Sequence, residues 1–245
     1  MALTYLNLVN ATANHLGETE LDNSNFANSY GTHNMMKRAV NYAIQDINRM
    51  EYTWPFQYVQ STITSVKDQA IYDPPADVKI IDWDTFYLTY NQSESIYPQP
   101  LTYISHEEWH ARYRANDRYE AEEQDDDVER YPYRVFPNPD NKIGLSPIPN
   151  STNHAIKFHY FKNEPVLSSY NDETNIPEQY ENVIVMGALY YVYKFRDNAE
   201  LAQETLQSFR RGVHEMRGLL INRFNHVRDT RTFNRNYGFY YGSHG

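Results

Sequence analysis

Cysteine is absent from the 245 residues, which excludes disulfides, thiolate zinc sites and cysteine nucleophiles and suits assembly in a reducing cytoplasm. Glycine is scarce, with 9 residues. The chain holds neither a phosphate-cradling glycine loop nor a GxSxG elbow, so nucleotide chemistry is not expected and no cofactor is called for. No apolar run reaches the roughly 20 residues a bilayer requires. The start, MALTYLNLVN, lacks a basic n-region, so neither a membrane role nor secretion is expected. Cations are outnumbered, 22 Lys and Arg against 32 Asp and Glu, for a net charge of −10. The surface as a whole therefore repels nucleic acid, although a local basic patch would still bind it.

What is abundant is tyrosine, 23 residues. Its ring buries apolar area while its hydroxyl stays wet, so an acidic, Tyr-rich chain points to interaction surfaces more than to a deep oily core. The length allows one domain, or one domain with a sizeable insertion.

The late stretch 177–223 organises the rest. Pro177 suits a first helical position, and Glu178 and Glu181 complement the positive end of a helix dipole. Apolar and aromatic residues then run almost all the way round the helix (Val183, Ile184, Met186, Leu189, Tyr190, Tyr191, Tyr193, Phe195), which predicts a central helix covered on several sides. Asp197 reads as an N-cap with Glu200 closing a capping box. The following helix carries one seam, through Ala202, Leu206, Phe209, Val213, Met216 and Leu220.

Near the start, Leu6, Val9, Ala13 and Leu16 predict a short amphipathic helix that Gly17 stops. A polar link follows, then a second seam through Met36, Val40, Ala43, Ile47 and Met50, ending near Trp54-Pro55. The expected fold class is α+β: residues 1–55 and 176–223 form a helical bundle, and 56–175 form an inserted antiparallel β-domain. The bundle core is assigned to Met36, Val40, Ile47, Trp54, Ile184, Leu189, Leu206, Phe209 and Val213.

Within the insertion, strands are predicted at 57–66 and 78–90, as an antiparallel pair, and at 133–136, 142–145 and 155–161, with PNPDNK as a hairpin turn. One helix interrupts them from Ser105. The acidic run 120–129 reads as a solvated loop, in which Asp125, Asp126 and Asp127 offer at most weak cation association.

Two features bear on function. His106-Glu107-Glu108-Trp109-His110 matches the HExxH pattern, in which two histidines one turn apart ligate zinc and the glutamate acts as general base. Here Ser105 and Glu108 form a capping box, which places both histidines in a first helical turn, and no third ligand follows at suitable spacing. Neither a catalytic nor a metal site is expected, and a zinc metalloprotease is kept only as an alternative. A Tyr-rich carbohydrate-binding module is a second one. The other feature is the segment 224–245 with the residue before it: Arg223, Arg228, Arg231 and Arg235 stand against one acid, interleaved with Phe224, Phe233, Tyr237, Phe239, Tyr240 and Tyr241. Arginine and aromatics are the residues that anchor interfaces, so an extended docking arm is expected.

The order LVNATANHLGE, AVNYAIQDINRMEYTWPF, a β-rich middle, and IPEQYENVIVMGALYYVYKF resembles the tailed-phage head-to-tail adaptor (connector) family, of the tail tubular protein A type. The resemblance covers about residues 3–56 and 176–216. It departs from the family where Thr53 precedes Trp54 and Pro55 follows. It implies a structural virion protein at the neck, assembled in the host cytoplasm. Such a protein forms a homo-oligomeric ring, commonly a dodecamer, between the portal protein and the tail nozzle or tube. DNA passes through its lumen without sequence-specific binding, and the arm would dock on the portal.

Overall fold

The computed structural model describes residues 3–90, 99–117, 130–152 and 154–221. The acidic run 120–129 and the arm from Arg223 onward lie outside the described residues.

Helix α1 (Tyr5–His15) begins at Thr4, whose hydroxyl accepts the Asn7 N–H at 3.3 Å. It is followed by Gly17 at φ +67°, a left-handed conformation that glycine adopts without strain. Its buried face is Tyr5, Leu8, Val9, Thr12 and Ala13; Val9 and Ala13 of the expected stripe are within it, while Leu6 and Leu16 lie at its edge, partly buried against the same core. The segment before the last helices returns along this helix: the Tyr5 and Leu6 N–H groups donate to Asp172 and Tyr170 carbonyls. Tyr5 is drawn inward, and its hydroxyl donates to the Lys37 carbonyl at 2.7 Å.

Helix α2 (Thr32–Met50) buries Met36, Ala39, Val40, Ala43, Ile44 and Ile47. Met50, expected to extend the seam, is exposed, because it sits in the last turn, where the chain leaves the bundle. Trp54 is fully enclosed; its indole N–H donates to the Ile47 carbonyl at 2.9 Å and its ring stacks on Phe56.

The C-terminal pair begins with a 3-10 turn (Glu178–Tyr180) and continues as α4 (Glu181–Phe195) and α5 (Ala199–Leu220). Pro177 precedes the 3-10 turn instead of opening the α-helix. Helix α4 buries Ile184, Val185, Gly187, Ala188, Leu189 and Val192 between α1, α2 and α5. Phe195 is 68% exposed, since it lies where the helix runs past its neighbours. The cap of α5 is Asn198, whose side chain accepts the Leu201 N–H. Asp197 is not the cap: it takes φ +56° in the turn between the helices, so the anticipated Asp197/Glu200 box is replaced by a cap one residue later. Of the residues assigned to the bundle core, Leu206 is half-buried and the other eight are buried.

The middle of the chain forms two four-stranded sheets. One has the order β1 (Tyr58–Thr64), β8 (His154–Lys162), β3 (Val78–Tyr90), β4 (Gln99–Pro100). The other has the order β2 (Ile71–Tyr72), β7 (Lys142–Ser146), β6 (Arg134–Asn138), β5 (Thr102–Tyr103). The strands at 57–66 and 78–90 do not pair with each other. Strand β8 enters between them and is antiparallel to both; paired along both edges, it buries Ala155, Ile156, Phe158 and Tyr160. The β6–β7 hairpin turns through Asn138–Asn141, with Asn141 at φ +58°. The sheets are not wholly antiparallel, because β5 runs parallel to β6. Ile63, Phe86, Ile156 and Phe158 from the first sheet meet Tyr72, Val135, Ile143 and Leu145 from the second in a shared apolar core. A separate cluster draws only on residues 3–54 and 167–216.

Lys79 ties the two parts together. From the sheet its ammonium donates to the Asn48 carbonyl (2.7 Å), the Asn48 side chain (2.6 Å) and the Glu51 carbonyl (3.0 Å), all at the end of α2. Partial burial holds its pKa below the ordinary lysine value. Arg217 of α5 reaches the same place, pairing with Glu51 at 2.8 Å and the Met50 carbonyl at 2.6 Å.

Candidate interaction surfaces

Strand β3 carries a large irregularity that shapes a groove on the surface of the described structure. Between Asp82, opposite His159, and Tyr87, opposite Lys157, β3 has extra residues that the partner strand lacks. The interruption is closed by Thr85, whose hydroxyl donates to the Asp82 carbonyl (2.7 Å) and accepts the His159 N–H (2.9 Å). A side chain thus stands in for the missing ladder partner. Phe86 turns inward and stacks on Phe158 with ring centroids 4.7 Å apart. Trp83 lies over Phe86 and beside Tyr103. On either side of Trp83, Asp82 is half-buried and Asp84 is exposed.

The groove beside this bulge has a volume of about 920 Å³ and runs from Tyr58, Ile80 and Phe161 on the sheet, past the bulge, to Ile221 just beyond α5. Tyr58, Ile80 and Tyr103 are 38%, 39% and 45% exposed, leaving an open apolar floor. Its charged lining residues are both acids, Asp82 and Asp84. Tyr58 donates its hydroxyl to Asp82 at 2.8 Å. Burial, and then the neighbouring carboxylate, push the phenol up to about 12. The arrangement is suited to a ligand with an apolar body and a cationic tip, since aromatic faces and carboxylates both favour guanidinium. Sequence reasoning missed this site. The available signal was the pair of aspartates in a strand otherwise rich in β-branched and aromatic residues, since aspartate is depleted in regular strands.

The HExxH segment forms one turn of α-helix, α3 (His106–Glu108), capped by Ser105, and continues as a π-helical turn over Trp109–Tyr113. The Ser105 hydroxyl accepts the Glu108 N–H at 3.1 Å. Trp109 stacks on Phe136 at 4.3 Å and donates to Asp117 at 2.8 Å, which anchors the turn to the sandwich. The rings of His106 and His110 lie 6.3 Å apart, and the Arg114 guanidinium sits on His110. A cation held against one histidine opposes a second cation there. Among the described residues no three His, Cys, Asp or Glu side chains converge on a metal position.

A third surface is aromatic. Tyr42 and Tyr190 flank Tyr191, whose hydroxyl donates to Asp46. Burial, followed by that carboxylate, keeps the Tyr191 phenol well above its usual range. Eight tyrosines are exposed among the described residues, including Tyr30 at 82% and Tyr52 at 59%. Much of the tyrosine content is therefore at the surface, as interaction surfaces require. No described helix is long and apolar enough to cross a membrane.

Residues 3–235 match the protein family described as SU10 adaptor protein. The match runs through both helical ends and the sandwich and continues to Arg235. No curated protein matches the chain.

Proposed function

The chain belongs to the SU10 adaptor protein family, a family of phage adaptors, and from that premise we propose that it is a structural protein of the virion neck. In this reading it forms a ring of identical subunits between the portal and the tail nozzle or tube, in the manner of the tail tubular protein A type. A dodecamer is the expected ring. The observation that carries the proposal is the extent of the family match, which takes in the helices of both ends, the intervening sheets and most of the arm. The helices would be the adaptor body, with residues 56–175 inserted as a separate β-rich unit. Exposed tyrosines supply contacts that bury rings without hiding unpaired polar atoms. The net charge of −10 suits a conduit through which DNA slides without adhering.

Portal attachment is assigned to the arm, through Arg223, Arg228, Arg231 and Arg235 with Phe224, Phe233, Tyr237, Phe239, Tyr240 and Tyr241. Arginines pair with portal carboxylates while the rings bury apolar area, and many identical arms in a ring raise the effective concentration of each contact. Electron microscopy of the purified protein, alone and mixed with portal, tests the proposal. Rings that stack coaxially on the portal are expected. Deleting residues after Phe224 is expected to abolish portal binding and leave the subunit folded; a truncated protein that binds portal with native affinity would move the portal contact to the helices.

A further inference from the structure

We propose that the acidic, aromatic groove beside the β3 bulge is the seat of residues 222–228 of the same chain. The arm then begins docked on its own subunit, and only the part beyond it is free to meet a partner. The inference rests on the groove and stands whether or not the arm binds a portal.

Three observations converge on this occupant. The first is place. Ile221, the last described residue, lines the groove, so the following residues start at its mouth. Seven extended residues span about 23 Å at ~3.3 Å each, enough to follow the groove from α5 past the bulge. Covalent attachment makes the encounter intramolecular, which favours this segment over the same segment of a second copy. The second is charge. The groove's charged lining residues are Asp82 and Asp84, and Asp84 has no ion-pair partner among the described residues. The segment 222–228, Asn-Arg-Phe-Asn-His-Val-Arg, holds two arginines and no acid. The third is apolar match. Tyr58, Ile80 and Tyr103 are left open in the groove, and Phe224 and Val227 offer side chains to cover them. The family match extends through this segment to residue 235, so it belongs to the shared adaptor sequence.

The arrangement divides the arm. Arg223, Phe224 and Arg228 then anchor its stem on the subunit itself, and of the arm residues assigned above to the portal, Arg231, Arg235 and the later aromatics are the ones left to make that contact. A seated stem would aim the outer part from a fixed point, so less freedom is lost when that part meets a partner.

Amide hydrogen exchange on the full-length protein, without portal, tests this. Residues 223–228 are expected to exchange at least roughly tenfold more slowly than 229–245, and the protection should weaken as salt is raised. The D82N/D84N variant is expected to lose that protection while β3 and β8 keep theirs. The R223Q/F224A/R228Q variant is expected to lose it too, and because its changes lie outside the described fold it reports on docking even if the aspartate variant is destabilised. Fast exchange at 223–228 in the unaltered protein, or protection unchanged in the arginine variant, overturns the proposal. Protection that disappears on tenfold dilution overturns the same-chain assignment and gives the groove to the arm of a second copy.

Discussion

A close approach in the helical layer at Gly187 makes a quantitative test possible. A Cβ at this position would lie 2.8 Å from the Ala43 Cβ on α2 and 2.9 Å from the Phe209 ring on α5, below any ordinary carbon contact. Phe209 is 2% exposed, so F209A removes a buried ring and is expected to cost about 3–5 kcal/mol. For a chain of this size that corresponds to a fall of roughly 6–20 °C in Tm. G187A introduces overpacking of about 1–3 kcal/mol, offset by about 1 kcal/mol of helix propensity. The net is about 0–2 kcal/mol of destabilisation. The double variant decides the geometry. Once the ring is gone, the new methyl has space on that side and partly fills the cavity, while its conflict with Ala43 persists. The double variant should therefore be at least ~1 kcal/mol more stable than the sum of the single effects. Urea denaturation at one fixed protein concentration measures all four corners of the cycle, which removes the mass-action contribution of any oligomer. Additive effects, or an F209A cost under about 1 kcal/mol, would refute the packing of α4 against α5 described here.

Other perturbations probe the remaining elements. Gly144 pairs across the hairpin with Phe136, whose ring fills the space a Cβ there would need; G144A should lose soluble expression or melt far lower, whereas an unchanged melting curve would contradict this hairpin. Lys79→Met removes a charged donor from three oxygens at the end of α2 and should cost about 1.5–3 kcal/mol, with faster amide exchange at 48–57 as the local signature. The phenols of Tyr58 and Tyr160 are raised to about 12 from 10.0, by burial and by the carboxylates they bond. The unfolded chain therefore ionises first: this contribution to stability is complete below about pH 10 and is lost as pH rises towards 12. Tyrosinate absorbance should show a group of tyrosines, among them Tyr5, Tyr72 and Tyr191, titrating later in the native protein than in urea, and the Y58F/Y160F variant should have two fewer of them. H106A/H110A should leave bound-metal content the same as in the unaltered protein, and stoichiometric zinc lost in this variant would reverse the reading of the HExxH segment.

Apolar spacing at the two ends determined the helices in advance. The seams through Met36–Ile47 and Ala202–Met216 are local patterns with a period near 3.6, and a residue on the apolar stripe of a helix has little choice but to be buried. The Ser105 cap and the PNPDNK turn were legible for the same reason, since each is decided within four or five residues. Strand neighbours were not, because nothing local says which strand inserts between two others: β8, some 65 residues after β3, separates it from β1. At α1 a distant segment intervened, through the Asp172 and Tyr170 carbonyls, whereas at α5 the cap moved to the adjacent Asn198 because Asp197 takes a left-handed φ in the turn between the helices. The arm was evident as composition, four arginines among aromatics, but its counterpart on the subunit was not. Tyr58, the Asp82/Asp84 pair, Tyr103 and Ile221 come from separate stretches of the chain, and only the strand pairing, the bulge in β3 and the end of α5 bring them to one groove. Local periodicity sets which residues must be buried. The pairing of remote strands, which depends on the total area and hydrogen bonds a whole arrangement can satisfy, sets what surface is left outside.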